Sequence, residues 1–167
     1  MFPNRILNHS FKWYQNSDRQ KMMDRILNSE NSKPDSQSNP LLWLKIVQGD
    51  NHECQVYFVN DSSEIVTAII PHSFGYISYD ETTSPLLNNN QRTFSDVLQN
   101  EAVLIDSFHL IYDSDSYIGL SIEINSPLTG HVIITTPTLK GKIEEQSIFS
   151  DGIFNPKLAI EFKEKTI

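Results

Sequence analysis

The chain has 167 residues, 38% hydrophobic and 20% charged, which is enough for one domain around a single core. Its net charge of −8, from 21 acidic and 13 basic residues, argues against nucleic-acid or anionic-membrane binding, because both need clusters of lysine and arginine. No apolar run approaches the ~18 residues of a membrane span. The charge favours a basic partner or, more simply, good solubility.

The first twenty residues contain no apolar stretch typical of a secretory signal. The single cysteine, Cys54, cannot form an internal disulfide. It alternates with Val56 and Phe58, so we expect a buried side chain in a strand. A catalytic thiol is the alternative, but no nearby charge marks it. Together these features predict a cytoplasmic protein.

Residues 1–29 are predicted to form an N-terminal helical segment, with the helix near residues 18–28. Four apolar residues recur at helical spacing: Met22, Met23, Ile26 and Leu27. Ser10 or Asp18 can serve as the N-cap, because their side-chain oxygens accept from free amides of the first turn. Residues 30–40 are polar and contain two prolines, so we interpret them as a linker.

From residue 41 onward, apolar runs of strand length alternate with turn residues. The clearest strand contains apolar residues at every second position from Ile118 to Ile124, which is typical of a strand buried on one face. The short connections favour antiparallel pairing. We therefore predict that residues 41–167 form an antiparallel β-sandwich, Ig-like or related, with one N-terminal helix beside it.

Asp113 and Asp115 pose the question of a metal site. They lie with serines between two predicted strands, and both residue types form turns, so a hairpin tip accounts for them. An Asp-x-Asp metal site needs further ligands, which only the loop at Asp80 and Glu81 could supply. The five histidines show no zinc spacing. The sequence predicts a turn here, and no metal or cofactor.

No catalytic motif is present. The chain lacks G-x-S-x-G and both common glycine-rich phosphate-binding patterns. An enzyme would therefore need a site assembled from scattered residues, with His72, His109 or His131 near a carboxylate. This remains an alternative.

Acidic residues recur in or beside the predicted turns, and turns at one end of a sandwich lie close together. They would form a negatively charged rim that can dock a cationic protein. Tyrosines near the same turns can add an aromatic platform. The predicted partner-binding residues are Asp80, Glu81, Asp113, Asp115, Tyr79 and Tyr117.

A small acidic β-domain without a signal or a catalytic motif has the general profile of bacterial immunity proteins, which bind and neutralise a cognate toxin. The profile predicts a non-catalytic cytoplasmic module whose partner is a protein such as a basic toxin domain, with no nucleic acid and no membrane involved. Two alternatives remain, the enzyme described above and a carbohydrate-binding or structural β-module that uses its exposed tyrosines.

Overall fold

The computed structural model describes residues 4–13, 39–79, 82–86 and 92–163. Within these ranges the chain forms thirteen strands and one short 3-10 helix, Asp50–His52. The strands are β1 (Arg5–Ile6), β2 (Leu42–Gln48), β3 (Glu53–Asn60), β4 (Val66–Tyr79), β5 (Thr82–Leu86), β6 (Phe94–Val97), β7 (Glu101–His109), β8 (Ser116–Ser126), β9 (Gly130–Thr135), β10 (Leu139–Lys140), β11 (Gln146–Ser150), β12 (Ile153–Phe154) and β13 (Ala159–Phe162).

The strands make two sheets. The first has the order β1-β7-β3-β2-β11-β12, and the second β13-β9-β8-β4-β5, with β6 pairing with β4 and β10 with β8. Every strand pair described is antiparallel. The prediction of a mainly β chain with antiparallel pairing is confirmed.

The predicted N-terminal helix is not seen. Residues 18–28, where we expected it, lie outside the described residues, as does most of the predicted linker. The described part of the segment, 4–13, contains β1 and no helix. Its aromatic residues Phe11 and Trp13 pack on the first sheet. A short segment with alternating polar and apolar residues can bury its apolar side chains against a sheet without forming a helix.

One apolar core lies between the two sheets. It contains the alternating residues of β8, from Ile118 to Ile124, as the sequence predicted. Opposite them are Leu44 and Phe58 of the first sheet. Full burial of each such side chain contributes about 1.5–3 kcal/mol, so this shared core holds the two sheets together. Cys54 belongs to the core, and burial raises the pKa of its thiol.

The prediction that β7 and β8 form a hairpin is wrong. β7 pairs with β1 and β3 in the first sheet, whereas β8 pairs with β4 and β9 in the second. The connection between them therefore crosses from one sheet to the other. A short turn between two strands favours a hairpin only when their neighbouring edges are free, and here other strands occupy those edges.

The N-terminal segment covers the outer face of the first sheet. β1 pairs with β7, and the Phe11 and Trp13 rings contact Tyr57 and Trp43 at centroid distances of 5.2 and 5.4 Å. Tyr57 and Trp43 are almost fully buried as a result. This face of the sheet thus carries a second, smaller apolar cluster.

Asp61 fastens this segment to the sheet. The Phe11 N–H donates to His9 Nδ1 at 3.0 Å, so His9 Nε2 carries the ring proton and donates to Asp61 Oδ1 at 2.6 Å. Trp43 Nε1 donates to Asp61 Oδ2 at 2.8 Å. A single carboxylate therefore links the N-terminal segment, β2 and the turn that follows β3.

We expect Ile122→Asp to unfold the domain or to lower its unfolding free energy by about 3–5 kcal/mol, because an unpaired carboxylate would lie in the shared core. Chemical denaturation followed by circular dichroism measures the change. Asn125→Asp introduces the same group at an exposed position of the same strand and should leave stability nearly unchanged. Equal stability of both variants would contradict the assigned inward face.

We expect Asp61→Ala to cost about 2 kcal/mol of stability, because it removes the acceptor of two hydrogen bonds. Equilibrium unfolding in urea gives the value. Asp50→Ala, at an exposed aspartate whose side chain makes no described hydrogen bond, is the matched control. If both variants lost the same small amount, Asp61 would have no role in fastening the segment.

Candidate functional site

A bulge in β7 directs a carboxyl group between the sheets. Val56 pairs with Asp106 and Tyr57 pairs with Leu104, which leaves Ile105 as the extra residue. Residues that pair across two strands share a face, and Val56 belongs to the core. Asp106 therefore faces the second sheet. Bulges often re-aim a side chain in this way beside functional sites.

Asp106 lies between two adjoining cavities of about 120 and 230 Å³, which share Ser73, Asp106 and Ser107 as walls. We refer to both together as the Asp106 cleft. The smaller cavity is also lined by Phe74, Phe108, Asp113, Ile118, Gly119 and Ile143. The larger one is also lined by Asn4, Gln55, Pro71, Arg92, Leu104 and Ile105. One cavity is thus mainly apolar with two carboxylates, and the other is mainly polar.

Burial raises the pKa of the Asp106 carboxyl. Hydrogen bonds from Ser73 and from the Ser107 N–H, the latter at 2.8 Å, act in the opposite direction, whereas the charge of Asp113 raises the pKa further. No lysine, arginine or histidine of the described residues forms an ion pair with Asp106. Its negative charge is therefore not compensated within the described part of the chain. A carboxyl with a perturbed pKa in a cleft is a candidate binding or catalytic group.

Gln55 adds a polar group to the larger cavity. The residue is only 5% exposed, and its side-chain amide makes no hydrogen bond in the described part of the chain. Gln55 neighbours Val56, which faces the core, so the Gln55 side chain lies on the outer face of the first sheet and not beside the Asp106 carboxyl. Within the described part of the chain, no fully buried side-chain nitrogen or oxygen lacks a hydrogen-bond partner, so solvent reaches the Gln55 amide.

An exposed apolar tip adjoins the cleft. The 110–115 loop connects β7 to β8, and it carries Ile111 at 56% and Tyr112 at 82% exposure, with Leu110 beside them. Asp113, from the same loop, lines the smaller cavity. Three large apolar side chains in a row at the surface are unusual for a turn and point to an interaction.

Hydrogen bonds hold this loop in one conformation. His109 Nδ1 accepts from the N–H groups of Ile111 and Tyr112, both at 3.1 Å, and the His109 ring stacks on Tyr112 at 4.1 Å. Asp113 Oδ2 accepts from the His109 N–H at 2.7 Å. The turn predicted at Asp113 and Asp115 is thus present, and Asp113 has a structural role within it.

The predicted partner-binding residues divide into two groups. Asp115 is exposed in the 110–115 loop, and Tyr117, two residues later, stacks on Tyr76 across β4 and β8 at 5.1 Å. Tyr79 ends β4 at the same end of the second sheet, because Ile77 pairs with Ser116. Asp80 and Glu81 lie outside the described residues. The structure thus brings Asp113, Asp115 and Tyr117 together and places the backbone of Tyr79 near them.

The histidines of the alternative enzyme hypothesis lie apart from one another. His131 Nε2 bonds Glu123 Oε1 at 2.5 Å, but both are partly exposed and neither lines a cavity described here. His72 is exposed on β4, and His109 braces the loop. Within the described ranges, no group of three or more histidine, cysteine or acidic side chains could hold a metal ion.

Sequence reasoning missed Asp106. The signal for Asp106 was a lone charge within the apolar run "AVLIDSF", which is unusual for a buried strand. Ser73, which bonds it, is 33 residues away and in the other sheet, so spacing could not have suggested the pair.

Comparisons with known proteins give no relative: no family model, no curated protein and no solved structure matches the chain. Among the residues that the structure describes, no helix is long and apolar enough to cross a membrane.

Asp106→Asn should stabilise the protein at neutral pH. The folded-state pKa of Asp106 is raised, so the folded protein holds this proton more tightly than the unfolded chain and loses stability as the pH rises through that pKa. Asparagine does not ionise, so the variant keeps the stability that the wild type loses as the pH rises. Across a pH series, the melting temperatures of the two proteins should be similar at acidic pH, and that of the variant should become the higher one as the pH rises.

The matched control for this experiment is Asp96→Asn, which also removes one negative charge, but at an exposed aspartate. Asp113 and Arg92 also line the cleft, and both are present in the wild type and in both variants. A melting difference for Asp106→Asn that did not depend on pH would show that desolvation of this carboxyl is unimportant.

Proposed function

We propose that this chain is a non-catalytic protein-binding module that captures a basic protein, in the manner of an immunity protein that neutralises a toxin. The observation that carries the proposal is the 110–115 loop, which holds Ile111 and Tyr112 at the surface by hydrogen bonds to His109. Immobilising an apolar side chain on binding costs free energy, and a loop that is already ordered reduces that cost. Tyrosine anchors of this kind are common at the centre of protein interfaces.

Acidic groups surround the tip. Asp115 is exposed in the loop itself. The turn at Asp50 and Glu53 lies close by, because the rings of His52 and His109 approach to 6.4 Å, and both of its acidic residues are exposed. Lys140, opposite Tyr117, is a basic residue at this end. The acidic excess and the net charge of −8 support a partner of positive charge, because complementary potentials accelerate association.

The scaffold that we propose is a β-sandwich, in which loops at one end of two packed sheets form the binding surface. The Tyr76–Tyr117 stack extends the apolar tip along the second sheet. We place the module in the cytoplasm, where the lone, buried Cys54 would remain reduced. The β-sandwich scaffold, the cytoplasmic location and the basic toxin as partner all belong to this proposal.

The test begins with affinity capture from the source cell, in which wild type is compared with the Ile111→Ser/Tyr112→Ala double variant. We expect a basic protein that wild type retains and the double variant loses. The matched control is Ile153→Ser, since Ile153 is 70% exposed and lies at the opposite end of the first sheet, where Phe149 pairs with Leu42. Co-expression with the captured protein should restore growth that this protein alone inhibits.

Binding measurements with the purified protein and its captured partner then separate the contribution of the acidic charge from that of the apolar tip. Reversing Asp115 to lysine should slow association severalfold at low salt and change dissociation little, because exposed rim charges act mainly on k_on. Surface plasmon resonance at two ionic strengths measures both rates. Retention by the double variant equal to that of wild type, or an acidic partner, would refute the proposed surface.

A further inference from the structure

We propose that β13 is the contact strand of a homodimer, in which β13 of a second copy of this chain pairs with it in antiparallel orientation. Among the described strands, β13 stands at the end of the second sheet and pairs only with β9, so its other edge is open. Addition of a strand to an open edge is a recurring mode of recognition, and twofold symmetry is the commonest in soluble oligomers. The proposal is independent of the protein-binding function.

The backbone of β13 is oriented for such pairing. The Lys163 N–H donates to the His131 carbonyl at 2.9 Å, so the backbone groups of Lys163 point towards β9. Backbone groups of successive residues point to opposite sides of a strand. The N–H and C=O groups of Ile160 and Phe162 therefore point to the open edge. A twofold axis beside Phe162 would join its N–H and C=O to those of Phe162 in the second copy.

Charge complementarity selects this register. When Phe162 lies opposite its own copy, Glu161 of each chain lies opposite Lys163 of the other, and opposite charges at such positions stabilise a strand pair. All three side chains are exposed and free to meet a second copy. A shift of two residues would instead place Glu161 opposite Glu161. A lone lysine on an edge strand opposes pairing, but here Glu161 offsets it.

An exposed aromatic ring lies at the centre of the same register. Phe162 is 67% exposed, although it pairs with the core residue Val132 and its ring contacts that of Phe154 at 5.9 Å. Residues directly opposite each other share a face, so the two Phe162 rings of the dimer would lie side by side. The ion pairs would occupy the other face. The exposed ring and the charges thus favour one and the same pairing.

The dimer would leave the 110–115 loop free. Phe162 pairs with Val132, which in turn pairs with Ile124, so β13 lies beside the C-terminal half of β8. The loop precedes the first residue of β8. Each dimer would therefore carry two copies of the apolar tip, and dimerisation can be measured on the purified chain without any other protein.

Charge reversal tests the register. Sedimentation equilibrium over a concentration series should show that the wild type exists as monomer and dimer. Glu161→Lys and Lys163→Glu should each weaken dimerisation about tenfold, because like charges then lie opposite each other. The double variant Glu161→Lys/Lys163→Glu restores opposite charges and should restore dimerisation. Lys157→Glu changes the net charge as Lys163→Glu does, at an exposed lysine outside β13, and should leave dimerisation unchanged.

An equimolar mixture of the two single variants is the second test. One variant presents only lysines at positions 161 and 163 and the other only glutamates, so a mixed pair forms both ion pairs. The mixture should dimerise more strongly than either variant alone, which an unfolded variant could not achieve. A wild type that stays monomeric up to about 1 mM would overturn the proposal. So would single variants that dimerise like the wild type, or a mixture no more dimeric than its components.

Discussion

Burial of one face of β8 against β2 and β3 is the interaction on which the rest of the structure depends. The alternating residues from Ile118 to Ile124 meet Leu44 and Phe58 across the space between the sheets. Neither sheet could shield its apolar face alone, so the two are stable only together. This requirement also forces the chain to cross between sheets after β7. The crossing includes the 110–115 loop, so the candidate site lies where the chain passes from one sheet to the other.

The cleft lies where this core ends. Beyond Ile118 the apolar packing gives way to Ser73, Asp106 and Asp113, and the bulge at Ile105 shifts the β7 register at that point. A binding site needs both a rigid support and polar groups. Here the packed core fixes the geometry, and the polar side chains can supply specificity. Burial raises the pKa of the Asp106 carboxyl, so its ionised form opposes folding, which is the kind of cost that a residue retained for function can carry.

The sequence predicted the strands better than their partners: β2 pairs with β3 and β8 with β9 as consecutive hairpins, but β7 does not pair with β8. Alternation from Ile118 to Ile124 revealed the inward face, because a period of two depends only on local geometry. The pairing of β7 and β8 was wrong, since the choice between a hairpin and a crossing depends on which distant strands occupy their edges. For the site, the turn at Asp113 was predictable from its residue types. The role of Asp106 was not, because its carboxyl lines a cleft only when Ser73 and the far sheet are in place.

The N-terminal segment has a consequence for self-association. β1 caps one side of β7, and the Leu104 N–H continues this pairing by donating to the Asn4 carbonyl. An uncapped β7 would offer a row of free N–H and C=O groups beside the newly uncovered Trp43 and Tyr57. Such an edge is a template on which a second copy can add its own strand. Residues 4–13 therefore cover an edge and an apolar face on which a second copy could otherwise add, and their proteolytic removal would favour self-association.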